Sequence, residues 1–322
     1  MRRLHLASFL AFVGRLLGLF LIALPVRVDA NTYTLDPGQS AVGNILRYKT
    51  RDNDTLLDIA RNFDLGYTEL IAANRGIDPW LPGVGKRVVI PSLFLLPDTP
   101  HKGIVINIAR QRLFYYPPDG QTVETFPIGV GAEGSSTPIG ATRVVRKKQH
   151  PIWYPTASER QEKPELPAVV PAGPDNPMGD YALYLGFPAI AIHGTDKPYG
   201  VGRNVSHGCI RLYPEDIERL FQQVPVGTEV RVIGDEAQLA WVGNDLYLAV
   251  FPNLQQTDQL DTGQPMEPVG SEPVQEQVMS AVEGDFGRID WDLVQRTALE
   301  RTGIPTRVSL PAAGEAATAP SE

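Results

Sequence analysis

The sequence predicts a mainly β protein in which a small unit of two strands and two helices precedes a larger β domain with one clear helix. Short apolar runs that alternate with polar residues, separated by turn signals such as residues 117–120 (Pro-Pro-Asp-Gly), are typical of antiparallel strands. The 30 glycines and 29 prolines among 322 residues also suit a loop-rich β fold better than a helical bundle. With 43% apolar and 20% charged residues, the chain can bury a core.

The first thirty residues have the pattern of an export signal. Arg2 and Arg3 begin a basic segment, and residues 16–26 form an unbroken run of apolar and small residues. The small residues around Ala30 then offer a cleavage point. We therefore expect a signal peptide over residues 1–30 and an exported protein, with an uncleaved N-terminal anchor as the alternative. No cysteine follows the apolar run, which excludes a lipid-anchored lipoprotein.

Residues 46–91 are expected to form a compact unit with the order strand, helix, helix, strand. Thr55 and the acid three residues later have the spacing of a helix capping box, and Thr68 is expected to cap the second helix. The closing strand is expected over residues 87–91, where Pro91 stops it.

Residues 103–233 have the pattern of a β domain with one helix. Pro214 begins the helical segment, two acids follow it, and apolar residues then recur on one face as far as Val224. The expected strands are 104–109, 112–116, 122–130, 141–145, 182–185, 189–193 and 228–233.

Residues 234–307 are expected to be an appendage of the larger domain. Two short strands are expected around residues 243–245, and a helix over residues 290–302. Four prolines between residues 252 and 273, together with an excess of acids, predict a mobile linker. Residues 308–322 are expected to be disordered.

Net charge and cysteine content exclude several classes of protein. The formal charge of −8 argues against a nucleic-acid binder, which normally presents a basic face. Cys209 is the single cysteine, so the chain has no intrachain disulfide and no all-cysteine metal site. In an exported protein a lone thiol is either reactive or buried and harmless.

The candidate chemistry is concentrated in residues 193–209. His193 follows an apolar run at the expected end of a strand, and four glycines lie between it and Cys209. A thiol is a weak nucleophile until an imidazole within hydrogen-bond reach takes its proton, and the segment supplies two imidazoles, His193 and His207. The same imidazole can return the proton to an amine leaving group. This is the outline of cysteine acyl-transfer chemistry.

Two other interpretations of these residues stay open. A lone cysteine is often a small buried apolar residue. A catalytic zinc held by His193, His207 and Cys209 is conceivable, but His-x-Cys is not a typical ligand spacing. No metal or other cofactor is therefore expected.

Residues 103–233 resemble the L,D-transpeptidase catalytic domain, the YkuD family. The residues that carry the resemblance are 129–131 (Gly-Val-Gly), 135–140 (Ser-Ser-Thr-Pro-Ile-Gly), 192–195 (Ile-His-Gly-Thr), 200–202 (Gly-Val-Gly) and 206–212 (Ser-His-Gly-Cys-Ile-Arg-Leu). The resemblance implies a sandwich-like or barrel-like β domain. Arg211 stands where a common form of the motif has asparagine.

Residues 46–91 resemble a LysM module, a family that binds N-acetylglucosamine chains of peptidoglycan or chitin. The matching positions are Tyr48, 54–56, 59–60, Phe63, 73–74, 82–83 and 89–91. The two resemblances together imply a periplasmic enzyme that acts on the Gram-negative cell wall.

The resemblance to L,D-transpeptidases implies a role for each residue of the motif. Cys209 is the expected nucleophile and His193 the proton acceptor and donor, oriented through its other nitrogen by a backbone carbonyl. His207 is expected to support the site, although the sequence allows the two histidines to exchange roles. The backbone N–H groups of Gly208 and Cys209 are the expected oxyanion donors. The expected substrate-binding residues are Arg211, Ser206, Gly194, Thr195, Tyr184 and Arg203.

The implied reaction is acyl transfer on the tetrapeptide stems of peptidoglycan. Cys209 is expected to attack the carbonyl of the third stem residue, normally diaminopimelate, and to release D-alanine. The acceptor amine is either the diaminopimelate of another stem or a lysine of a wall-anchored lipoprotein. The alternatives are an L,D-carboxypeptidase, in which water accepts the acyl group, and a non-catalytic wall-binding protein. The expected partners are peptidoglycan stems, glycan chains and such a lipoprotein, with no nucleic acid.

Overall fold

A nine-stranded sheet carries the larger part of the fold in the computed structural model, which describes residues 32–132, 137–282 and 284–311. In chain order the strands are β1 (Thr32–Thr34), β2 (Ala41–Lys49), β3 (Arg87–Leu95), β4 (Gly103–Asn107), β5 (Arg112–Tyr116), β6 (Thr122–Pro127), β7 (Val130–Gly131), β8 (Gly140–Gln149), β9 (Tyr181–Leu185), β10 (Ala191–His193), β11 (Asn204–Ser206), β12 (Ile210–Arg211), β13 (Glu229–Ile233), β14 (Ala237–Val242), β15 (Asp245–Val250) and β16 (Thr306–Arg307). The helices are α1 (Leu56–Asn62), α2 (Tyr67–Ala73), α3 (Ala157–Glu162), α4 (Pro214–Gln223), α5 (Leu254–Asp261), α6 (Glu272–Ala281) and α7 (Trp291–Glu300). The mainly β fold class is confirmed.

The large sheet has the order β1-β6-β5-β4-β13-β8-β9-β10-β12. Apolar side chains of its central strands pack with Ile217 and Leu220 of α4 in one buried core. The predicted helix at Pro214 is therefore present, and its apolar face is the one that meets the sheet. This core fixes the ends of β10 and β12, where the candidate site lies.

The predicted strand–helix–helix–strand order is present between β2 and β3, with two differences. Pro91 does not stop β3, and it pairs with Ile45 of β2. The sheet has only these two strands, so no third strand requires the backbone N–H that proline lacks. Thr68 does not cap α2. The helix begins after Gly66, and the Thr68 hydroxyl lies 2.7 Å from both Gln111 Oε1 and the Gly202 carbonyl. The Thr55 cap on α1 is confirmed by its side chain, which accepts the Asp58 N–H.

The small strand–helix unit shares its core with the large sheet. Leu56 and Leu70 belong to the same buried cluster as Val105 and Phe114, which lie on β4 and β5. The contact also includes a buried ion pair in which Arg112 Nη2 lies 2.8 Å from Glu69 Oε2. The described residues, which begin at Thr32, belong to one compact unit.

The segment after β13 is more ordered than the sequence predicts. β14 and β15 confirm the strands expected around residues 243–245, and α7 confirms the helix expected near residue 291. The expected mobile linker is wrong, since α5 and α6 occupy it and Val274 and Val278 of α6 are buried. Proline causes no break there because Pro273 stands in the first turn of α6. Val308 was expected to be disordered but is fully buried, in one apolar cluster with Val274 and Val278. Residues 312–322 lie outside the described residues.

The expected signal peptide, residues 1–30, lies outside the described residues. Within the ranges that the structure describes, no helix has both the length and the apolar character needed to cross a membrane.

Candidate active site

A cleft of about 440 Å³ opens where β10 and β12 run side by side. The two strands are parallel neighbours, with His193 at the end of β10 opposite Arg211, and Cys209 stands directly before β12. The predicted site residues that line the cleft are Tyr184, His193, Ser206, His207, Cys209 and Arg211. Two neighbouring strand ends therefore bring the thiol and the imidazole to one cavity, although 16 positions separate them in the sequence.

The His193 ring is buried and held by backbone. Its Nδ1 donates a hydrogen bond of 2.6 Å to the Gly194 carbonyl, because a carbonyl can only accept. Nε2 is then the basic nitrogen of the neutral ring. Burial and the positive charge of Arg211 lower the pKa of His193 to about 4. The imidazole is therefore neutral at physiological pH and able to accept a proton.

The Cys209 thiol is half-buried and makes a weak contact with backbone. It donates to the Ala189 carbonyl, with Sγ 3.5 Å from the oxygen. Burial raises the pKa of the thiol above its ordinary value, while the Ala191 N–H and the Arg211 charge oppose that rise. Among the described residues no hydrogen bond joins Sγ to His193. Catalytic hydrogen bonds are often long before substrate binds, so this geometry is compatible with proton transfer in the complex.

The Arg211 guanidinium acts on both of these groups. Its positive charge favours the Cys209 thiolate and disfavours the His193 imidazolium, so it lowers the pKa of each. Burial lowers the pKa of Arg211 itself. Its buried Nε has no hydrogen-bond partner within the described residues. This donor at the cleft is suited to an anionic group of a ligand.

His207 is held by two carboxylates of the short helix α3. Its Nε2 lies 2.9 Å from Glu162 Oε2, and its Nδ1 lies 3.4 Å from Glu159 Oε1. Nε2 is thus hydrogen-bonded to one carboxylate, and a second carboxylate lies beside Nδ1. Since a general base needs a free ring nitrogen, the structure favours His193 over His207 for that task.

Hydrogen bonds from side chains fix the turn that presents Cys209. The Ser206 hydroxyl donates to the Cys209 carbonyl at 2.6 Å and accepts the Gly208 N–H at 3.2 Å. The Thr137 hydroxyl donates to the Gly208 carbonyl at 2.9 Å. Gly208 has a φ of 99°, a conformation that other residues rarely adopt. Ser206 therefore shapes this turn, and the Gly208 N–H is already engaged.

Four predicted site residues do not line the cleft, and Gly208 is one of them. Gly194 and Thr195 are buried behind it, where the Thr195 hydroxyl accepts the Lys197 N–H at 2.9 Å. The Arg203 guanidinium stacks on Tyr67, 4.1 Å from the ring centroid, and pairs with an acid of α5. Substrate contact by Gly194, Thr195 and Arg203 stays a prediction, while the structure shows that their present partners come from packing that sequence spacing does not reveal.

The basic and aromatic walls of the cleft were not predicted from the sequence. The further lining residues are Arg146, Lys148, Ile152, Trp153, Tyr154, Thr156, Glu159, Pro177, Met178, Ala189 and Ala191. Arg146 and Lys148 share one face of β8 because side chains alternate along a strand. The Arg146 guanidinium stacks on the Tyr184 ring, 3.8 Å from its centroid. The predicted strand ended at residue 145, whereas β8 continues to Gln149. A prediction that extended this strand would have placed Arg146 and Lys148 on the same face.

Metal ligation finds no support in the part of the chain that the structure describes. No group of three or more histidine, cysteine, aspartate or glutamate side chains there is arranged to hold a metal ion. The cleft combines a thiol, a neutral imidazole, three cations and the Glu159 carboxylate. A thiol close to a neutral imidazole is suited to cysteine acyl transfer.

Comparison with known proteins agrees with this class of enzyme. The YkuD family, the L,D-transpeptidase catalytic domain, matches residues 101–232. The probable L,D-transpeptidase ErfK/SrfK of Escherichia coli K12 is 48% identical over 212 residues, 63% of this chain and 68% of that protein. The probable L,D-transpeptidase YbiS of the same strain is 41% identical over 293 residues, 87% of this chain and 93% of that protein. The NMR structure of the catalytic domain of the Enterococcus faecium L,D-transpeptidase is 23% identical, covering 42% of this chain and 100% of that domain with a TM-score of 0.34.

The chain belongs to the L,D-transpeptidase family. It is an enzyme of that class, a transferase with a YkuD catalytic domain.

Proposed function

We propose that this protein is a peptidoglycan L,D-transpeptidase in which Cys209 forms the acyl-enzyme and His193 moves the proton. The observation that carries the proposal is the placement of Cys209 and His193 on neighbouring strand ends in one cleft. The Nδ1 contact to backbone supports this role, because it leaves the basic nitrogen of His193 for the reaction.

The reaction divides into two acyl transfers. Sγ of Cys209 bonds to the carbonyl carbon of the third stem residue while the thiol proton passes to Nε2 of His193. The bond to D-alanine then breaks, and its amine leaves with that proton. An acceptor amine attacks the thioester, gives a proton to His193, and receives the acyl group as the thiol reforms.

The charge that develops on the carbonyl oxygen requires a hydrogen-bond donor. The Gly208 N–H is held by Ser206, so the Cys209 N–H is the better candidate of the two. Ser206 is a positioning residue in this proposal, since its hydroxyl bonds to backbone on both sides of Cys209.

Basic side chains support an acidic donor. Arg146, Lys148 and Arg211 line the cleft, and no ion pair neutralises them within the described residues. The free carboxylates of a tetrapeptide stem match this lining. Arg211, with its unpartnered Nε, is the proposed contact for one carboxylate. Tyr184 supports this wall from beneath Arg146.

The unit between β2 and β3 is proposed to be a LysM module that holds the glycan chains. Trp80, Leu81 and Val84 are exposed apolar side chains on its loops, which suits contact with sugar rings. Binding there raises the concentration of stems near Cys209 without a new catalytic contact. A signal peptide over residues 1–30 and a periplasmic location complete the proposal.

The donor reaction is tested with purified disaccharide-tetrapeptide, followed by mass spectrometry of the products. We expect a cross-linked dimer with the protein and none with Cys209→Ala. Tripeptide without dimer indicates hydrolysis, unless a lysine peptide added as acceptor is then joined to the stem. Intact substrate in every reaction contradicts the catalytic proposal and favours a wall-binding protein.

A further inference from the structure

A second and larger cleft, about 1260 Å³, lies toward the other edge of the nine-stranded sheet. It is lined by β5 and β6, whereas the Cys209 cleft is lined by β8, β9, β10 and β12. Strands β4 and β13 separate the two sets. The remaining walls are residues 34–40, residues 96–101, β14 and one face of α6. Its volume exceeds that of a usual small-molecule pocket, which suits a segment of a polymer.

The lining of this second cleft carries negative charge without a counter-ion. Asp36, Asp98 and Asp235 line it, whereas none of its lining residues is lysine or arginine. None of these three carboxylates takes part in an ion pair among the described residues. Burial and the neighbouring Asp98 charge raise the pKa of Asp235, as expected for a carboxylate that lacks a cation.

Two arginines that contact residues of the cleft lining, Arg110 and Arg288, bind neutral groups and not its carboxylates. Arg110 lies beneath the floor, where its guanidinium donates to the Leu95 carbonyl and to Gln238 Oε1. Arg288 donates to the Asn244 carbonyl, and its guanidinium lies 5.8 Å from the Trp241 ring centroid.

Unpartnered polar groups and aromatic rings also point to a ligand in this cleft. The Tyr116 hydroxyl and Gln238 Nε2 have no hydrogen-bond partner in the described part of the chain, although the two residues are 2% and 5% exposed. The exposed His101 ring stacks flat on Tyr116, with centroids 4.7 Å apart. Trp241 is 39% exposed at the same cleft. Aromatic faces of this kind attract cationic groups.

An unpaired strand edge completes the cleft. β14 is the outer strand of the sheet β14-β15-β16, and residues 237–241 of it line the cleft. The Phe251 N–H donates to the Glu236 carbonyl, so the backbone groups of Glu236 face β15. Backbone groups alternate in direction along an antiparallel strand, and those of Leu239, three residues later, therefore face away from β15. The Ser40 hydroxyl donates to the Trp241 carbonyl on that outer side. An extended peptide can pair with such an edge.

We propose that this cleft binds an extended peptide segment of a partner protein, one that carries lysine or arginine side chains. Its backbone pairs with the edge of β14 while its cations lie against Asp36, Asp98 and Asp235. The site is independent of the Cys209 chemistry. One consequence rests on the proposed function: docking of this kind raises the local concentration of a lysine-bearing acyl acceptor.

The test uses the chain from Asn31 onward and a fluorescein-labelled octapeptide of alternating lysine and threonine. We expect the triple variant Asp36→Asn, Asp98→Asn, Asp235→Asn to weaken binding at least about tenfold. The matched control Asp52→Asn, Asp292→Asn, Glu300→Gln neutralises three exposed acids that lie outside the cleft and leaves binding unchanged. Trp241→Ala, at a half-exposed position, provides a second weakened variant if the triple variant does not fold.

Two results overturn the proposal. One is an octapeptide that binds all variants equally or binds none of them. The other is binding by a tetramer of N-acetylglucosamine that depends on the same three acids and displaces the octapeptide. Release of D-alanine from soluble tetrapeptide is measured alongside. It stays at the wild-type rate in the triple variant if only docking is lost, and it is absent from every protein if the proposed function is wrong.

Discussion

The Cys209 thiol and the His193 imidazole both have pKa values displaced toward their neutral forms. Burial raises the pKa of the thiol and lowers that of the imidazole to about 4. The resting pair is therefore a thiol and a neutral imidazole rather than a preformed ion pair. In the proposed mechanism, proton transfer from Cys209 to His193 therefore accompanies the attack on the carbonyl.

Alkylation of Cys209 tests the state of the thiol. A raised pKa leaves less thiolate at a given pH, so we expect slow reaction with iodoacetamide at pH 7 and a rate that still rises above about pH 9. Arg211→Gln removes a charge that favours the thiolate, and the rise moves to higher pH. A rate that is already maximal at pH 7 contradicts this account.

The loss of activity at low pH tests the role of His193 as the general base. A general base works only when neutral, and this ring becomes protonated only as the pH falls through about 4. We expect kcat/KM to be retained between pH 7 and pH 5, below the ordinary histidine pKa of about 6.5, and to be lost near pH 4. His193→Ala lowers kcat by roughly 10²- to 10⁴-fold, while His207→Ala, which removes contacts with α3, has a smaller effect. Loss of activity near pH 6.5 contradicts the assignment.

The sequence predicted the candidate thiol and imidazole that the structure brings into one cleft, but only part of their surroundings. Cys209, His193 and His207 stand in one motif whose chemistry requires those residue types. Arg203 was expected to line the cleft, yet its partners Tyr67 and Asp261 come from distant elements. Local spacing does not reveal such contacts, so residue identity was predictable and orientation was not.

At the level of elements, a close backbone contact joins α2 to the loop before β11. A Cβ atom on Gly202 would lie 2.2 Å from the Tyr67 nitrogen and 2.4 Å from the Gly66 Cα. Gly202 has a φ of 79°, which other residues rarely adopt. Gly202 therefore serves a packing contact that no other residue can make without strain.

Alanine substitution separates these two effects. Gly227 has a φ of 94°, and a Cβ atom added there would meet no atom within 4 Å, so Gly227→Ala adds backbone strain alone. We expect about 1–2 kcal/mol of lost stability from that strain and a clearly larger loss from Gly202→Ala, read as Tm by calorimetry. Equal losses in the two variants contradict a tight contact at Gly202.

Apolar runs predicted seven of the nine strands of the large sheet, because these strands supply side chains to the buried core. They did not predict β1 or β12, which have three and two residues. The helices α5 and α6 were missed, since prolines and acids there have the composition of a linker. Pro273 fits the first turn of α6, and buried valines supply the packing. Burial against the rest of the fold stabilises α5 and α6, and amino-acid composition does not reveal such burial.

For the molecule as a whole, the small unit and the large sheet are expected to unfold together. They share one core, and the buried Arg112–Glu69 pair spans their contact. We expect amides of α1 and α2 to exchange with deuterium at the same free energy as those of β4 and β5, as measured by hydrogen exchange. Glu69→Gln lowers the stability of both by about 3–5 kcal/mol, because it leaves the buried Arg112 charge without the carboxylate of its ion pair. Independent opening of α1 and α2 contradicts a shared core.

Formation of an acyl-enzyme on Cys209 is the most direct test of the central claim. The protein is mixed with tetrapeptide donor and the reaction is quenched within seconds. The mass of the intact protein is then measured by mass spectrometry, followed by peptide mapping. We predict a mass increase equal to the stem without its D-alanine, located on Cys209, with one equivalent of D-alanine released. An unmodified Cys209 alongside released D-alanine contradicts the claim.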